Sequence, residues 1–98
     1  MATISATVFG GKAPIPIKVI IDNLDNANDH TFSSPGTFTQ SFNLPKGRYK
    51  IVVTGANANT KNAYTEIDLT GDFEVGPLQD GHREPNDPFY FEIFYVEV

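Results

Sequence analysis

The sequence predicts an all-β fold: a single antiparallel Greek-key β-sandwich of about seven strands. Three observations carry that expectation. No window of eleven or more residues places apolar side chains at i, i+3, i+4 and i+7, so a helix would have no stripe to bury. β-Branched and aromatic residues alternate instead with polar ones, which is the period of a half-buried strand. Glycine, proline, asparagine and aspartate gather between these runs and divide them into short segments.

The first strand is expected at about Thr3 to Phe9, with Ile4, Ala6 and Val8 on one face and Thr3, Ser5 and Thr7 on the other. Gly10-Gly11 ends it. A second strand, about Ile15 to Asp22, turns Ile15, Ile17, Val19 and Ile21 inward and Lys18 outward. Pro14 and Pro16 lie at its start, where a missing N–H is tolerated. Asn23 to Gly36 reads as a long polar loop, with room for a short strand around Thr31-Phe32. A third strand, about Thr37 to Leu44, alternates Phe38, Gln40, Phe42 and Leu44 against Thr37, Thr39 and Ser41.

Leu44-Pro45-Lys46-Gly47 is expected to close a bulged hairpin, because proline presets φ and Gly47 can take the left-handed conformation. The strand that leaves, Arg48 to Gly55, sends Tyr49, Ile51 and Val53 to the core. After the polar loop Ala56–Asn62 come strands at Tyr64–Leu69 and Asp72–Val75, then a third loop over Gly76–Pro88. The last strand, Phe89 to Val98, is apolar almost throughout.

Ninety-eight residues make one domain, 1–98, able to bury roughly 60–70% of the surface its unfolded chain exposes. Cysteine is absent, which excludes disulfides and thiolate metal sites. No apolar run approaches the ~20 residues of a membrane span. The N-terminus lacks a basic segment followed by an apolar one, so a cytoplasmic location is expected. A net charge of −5 repels phosphate backbones, so no nucleic-acid partner is expected; Lys46, Arg48 and Lys50 read as a solvated strand face.

The stretch Phe42-x-Leu-Pro-x-Gly-x-Tyr-x-Ile-x-Val-x-Gly55 resembles the hairpin of prealbumin-like and carboxypeptidase-regulatory-like β-sandwich domains. That resemblance covers about fourteen residues. It implies a prealbumin-like or immunoglobulin-like sandwich with the tyrosine packed between sheets, and it says little of function, because such sandwiches serve as accessory, adhesion, carbohydrate-associated and assembly domains.

Candidate chemistry is sparse. Asp22, Asp25 and Asp29, interleaved with Asn23, Asn26 and Asn28, offer oxygen ligands of the kind Ca²⁺ takes, although the glycine and closing glutamate of an EF-hand are missing. The plainer expectation is that Asp and Asn build turns there. His30, His82, Asp80, Glu84 and Asp87 lie in loops without metal-ligand spacing, and no nucleophile elbow or phosphate loop is present, so no enzyme, no catalytic residue and no cofactor are expected. Tyr64, Tyr90 and Tyr95 are the aromatics available to a carbohydrate.

The terminal strand is the anomaly. Phe89, Phe91, Ile93 and Tyr95 line one face; Tyr90, Phe94, Val96 and Val98 line the other, and only Glu92 and Glu97 interrupt. A two-layer fold has one core, so one of these faces needs another cover. Two covers are open: a partner chain, or a flap from Gly76–Pro88 carrying Pro77 and Leu78. The expected function is therefore a structural or protein-interaction module, homo-oligomeric or part of a larger assembly, contacting its partner through Tyr90, Phe94, Val96 and Val98. The alternative is a module binding Ca²⁺ or carbohydrate with its polar loops.

Overall fold

The computed structural model describes residues 1–27, 29–58, 60, 63–79 and 89–98. Among the described residues eight strands follow one another: β1 (Ala2–Phe9), β2 (Ile17–Asn23), β3 (His30–Ser34), β4 (Phe38–Phe42), β5 (Arg48–Ala56), β6 (Tyr64–Gly71), β7 (Val75–Gln79) and β8 (Phe89–Glu97). They form two antiparallel sheets, one ordered β4-β1-β6 and the other β3-β2-β5-β8-β7. The fold is a β-sandwich whose inner faces share one core. Ala2, Ile4, Ala6 and Ile67 from the smaller sheet meet Ile17, Val19, Ile21, Tyr49, Ile51, Val53, Tyr90, Phe94 and Val96 from the larger.

Alternation explains most of this. β2 buries every second residue from Ile17 to Asn23 and exposes Lys18, Ile20 and Asp22. Its start differs from the sequence expectation: the strand begins after Pro16, and Ile15 stays exposed. Pro14 and Pro16 have no N–H to give to a ladder there. The short strand around Thr31-Phe32 is β3, an edge strand paired to β2. Asp72–Val75 is not a strand as expected; pairing starts at Val75, and Val75–Gln79 lies along the free edge of β8.

The Leu44–Gly47 turn is not a hairpin. β4 pairs with β1 in the small sheet and β5 with β2 and β8 in the large one, so the turn arches between layers. Both arrangements keep Phe42 and Tyr49 inward, and only pairing partners tell them apart. The arch is pinned at several points. Tyr49 Oη donates to the Pro45 carbonyl at 2.6 Å, and Gly47 and Val98 exchange backbone hydrogen bonds of 3.1 and 2.9 Å. Gly47 sits at φ +154°, a region L side chains rarely adopt.

Aromatic rings close one long side of the sandwich. Phe32 on β3 lies 4.9 Å from Phe38 and 6.2 Å from Phe42 on β4, joining the edge of one sheet to the edge of the other. Among the described residues no helix is long and apolar enough to cross a membrane.

Candidate interaction surface

β8 lies between β5 and β7, and its ladder with β5 sets which face is inside. Phe94 pairs with Ile51 and Val96 with Tyr49, so the even-numbered residues join the inward row of β5. Tyr90, Phe94 and Val96 are core residues, and Val98 packs against that core. This corrects the expected contact surface: those four residues face inward. The outward face carries Phe89, Phe91, Ile93 and Tyr95, with Phe89 70%, Phe91 57% and Tyr95 43% exposed.

Glu92 runs against the usual rule for charged residues. A carboxylate among Tyr90, Phe94 and Val96 marks that face as the wet one, yet Glu92 is fully buried in register with Val53. Strand parity left no choice. A slip of one residue would expose Tyr90, Phe94 and Val96 together, and each buried aromatic or Val is worth about 1.5–3 kcal/mol.

Neighbouring strands extend the outward apolar face. Ile20 of β2 pairs with Val52 of β5, which pairs with Ile93 of β8, giving a continuous row across three strands. On one side of it lies the row Lys18–Thr54–Phe91; on the other lies Asp22–Lys50–Tyr95. Directly opposed residues in antiparallel strands sit ~4.5–5.5 Å apart, so these rows form one patch. Sequence reading missed Ile20, Val52 and their alignment with Ile93. The available signal was the triplets Val19-Ile20-Ile21 and Ile51-Val52-Val53, which put an apolar residue on each face of a strand.

The outer face of the small sheet is unlike it. Its rows read Ser41–Thr3–Thr70, Thr39–Ser5–Asp68 and Thr7–Glu66. Thr3 and Ser41 hydroxyls share a 2.9 Å hydrogen bond. Only at its end does an apolar pair appear, Phe9 stacked on Tyr64 at 4.6 Å.

The acidic loop builds structure. Asp25 accepts from the Arg48 guanidinium at 2.6 and 3.1 Å and from the Arg48 backbone N–H at 3.0 Å. Arg48 holds the Asp25 carboxyl below its ordinary pKa, chiefly through the side-chain hydrogen bond, and the guanidinium's own pKa is raised in return. Asp29 accepts from the Asn23 N–H at 2.9 Å, and the Asn23 side-chain oxygen caps the N–H groups of Asp25 and Asn26. Asp22 stands apart on the strand face beside Lys50. Among the described residues no three carboxylates, histidines or cysteines gather as a metal would require. Of the trio, Asp25 and Asp29 serve turn construction and Asp22 lies on the strand surface.

Of the tyrosines considered for a sugar, Tyr90 is inside the core, and burial raises its pKa against the opposing effect of Thr65. Tyr64 stacks on Phe9, and Tyr95 belongs to the outer patch. His30 lies 6.2 Å from the Phe42 ring, part of the side seam. His82, Asp80, Glu84 and Asp87 lie outside the described residues. The flap expectation fares differently in its two parts. Val75–Gln79 extends the sheet edgewise beside β8 rather than covering its face, and the remainder of that loop lies outside the described residues.

Comparison with protein-family models, with curated proteins and with solved structures finds no match.

Proposed function

We propose that this chain is a non-enzymatic structural or protein-interaction module, self-associating or a subunit of a larger assembly. Its contact surface is the outer face of the five-stranded sheet. One observation carries this reading: the exposed Ile20, Phe91 and Tyr95 and the half-buried Ile93 surround the buried Val52 on one outer face, while the other outer face is hydroxyls and carboxylates apart from Phe9 and Tyr64 at its end. Contiguous exposed apolar area of this kind marks sites of association. Rigid aromatics on a pleated surface bury much area at small entropic cost, which suits protein contact better than proton transfer. A cytoplasmic setting and an immunoglobulin-like or prealbumin-like topology belong to the same proposal; the inter-sheet arch with Tyr49 tied back to Pro45 supports the latter.

The test is light scattering over a concentration series, with crosslinking to capture hetero-partners. Phe91→Glu with Ile93→Glu is expected to stay folded by circular dichroism and to lose association. A double variant that associates as the parent does removes this surface from the reading.

A further inference from the structure

We propose that the occupant of this face is a second copy of the chain, related by a two-fold axis that runs along the Ile20–Val52–Ile93 row. This rests on reading the face as a contact surface and goes beyond it by fixing partner and geometry. An axis in the plane of the interface reverses strand direction while keeping position across the sheet, so residues two places before the row meet residues two places after it. Applied to the observed register, the operation sets Lys18 over Asp22 of the partner subunit and Asp22 over Lys18 of the partner subunit. It sets Phe91 over Tyr95 of the partner subunit, and lays Ile20 and Ile93 on their own copies, with the buried Val52 beneath them on the axis. Each pair lies about 7 Å from the axis on opposite sides, a spacing set by strand rise. Sheets packed face to face cross at about 30°, and the lysine stem is long enough to absorb that rotation.

Charge supports a second copy over an unrelated partner. The whole chain carries −5, so two copies repel on average. On this face, however, Lys18, Lys50 and Arg48 balance Asp22, Glu97 and the Asp25 that holds Arg48. The repulsion is cancelled where the copies would touch. One competing route, strand addition at the open edge of β6, brings Glu66 and Asp68 of one copy toward those of the other, so that edge is guarded.

The experiment exploits the symmetry. Lys18→Asp and Asp22→Lys are purified separately and examined by sedimentation velocity, alone, mixed, and combined in one chain. Alone, each variant places like charges at both contacts, and its self-association is expected to weaken by about tenfold to a hundredfold. An equimolar mixture is expected to form heterodimers at close to the parent's affinity, and the combined variant to recover self-association. Circular dichroism confirms folding, since both positions are exposed. If the mixture fails to associate while Phe91→Glu with Ile93→Glu still abolishes parent dimers, this axis is wrong and the face survives as a contact surface. A parent chain that remains monomeric at the highest attainable concentration overturns the second copy as occupant, and the surface reading then stands or falls with crosslinked hetero-partners.

Discussion

The two outer faces of this sandwich are built from the same pleated surface and share a core, yet they present opposite chemistry. On the small sheet, Thr3, Ser5 and Thr7 of the central strand are flanked by Ser41, Thr39, Thr70, Asp68 and Glu66. On the large sheet the central strand contributes Lys50, Val52 and Thr54, and its neighbours supply Ile20, Phe91, Ile93 and Tyr95. A sandwich needs only its inner faces to be apolar, so the first face is what the fold requires and the second is surplus. That surplus is where function is to be sought. The contrast also shows why a strand with two apolar faces is ambiguous on its own. β8 meets the core with Tyr90, Phe94 and Val96 and solvent with Phe89, Phe91 and Tyr95, at nearly equal hydrophobicity.

The sharpest way to break the comparison is to truncate the same residue type on the two sides of β8. Phe94→Ala should cost about 3–5 kcal/mol of unfolding free energy, because it opens a cavity between the sheets. Phe91→Ala should stay within about 0.5 kcal/mol for the isolated chain and act on association instead. Urea unfolding at low concentration separates the two; equal losses would mean that both faces are inside. Gly55→Val comes next. A Cβ at Gly55 would overlap the Tyr90 hydroxyl and ring, so about 1–3 kcal/mol should be lost unless the ring moves aside. Pairing this variant with Tyr90→Phe, which removes the hydroxyl nearest the clash, should recover part of the loss.

The core side can also be told from the outer side by titration. Burial raises the pKa of Tyr49, as it does that of Tyr90. Their contribution to stability is complete below the ordinary tyrosine range and is lost as pH rises through their raised values, because the unfolded chain ionises first. Tyrosinate absorbance should therefore lag for these two until the protein unfolds, and Tyr49→Phe with Tyr90→Phe should remove that lag. The smallest effect is expected at the arch. Asp25 has a lowered pKa, so its contribution is present above the ordinary carboxylate range and fades as pH falls through the lowered value. Asp25→Asn should leave the folded structure intact, trim the urea midpoint slightly at neutral pH, and flatten the acid side of the midpoint–pH curve.

Much of the fold could be read from residues in order. The alternation Ile17, Val19, Ile21 and Tyr49, Ile51, Val53 gave both strand positions and inward faces, since burial has a period of two. Proline and glycine marked where strands stop. The candidate surface was legible only in part. That β8 has more apolar side chains than one core can take is visible in sequence, but which of its two faces the core takes is not. Ile20 and Val52 stand more than thirty residues apart in the chain and meet Ile93 only through pairing.

What the chain determined by itself is local: an all-β composition, strand and turn positions, the inward face of most strands and the excess of apolar surface at its end. Those follow from side-chain period and backbone preference, which act between near neighbours. Tertiary structure alone decided that Leu44–Gly47 passes between sheets, that β7 lies beside β8, and which face of β8 is wet. Each is a choice among long-range pairings that local period and backbone preference leave open, and it is settled by which strand supplies the matching ladder and the matching row of side chains.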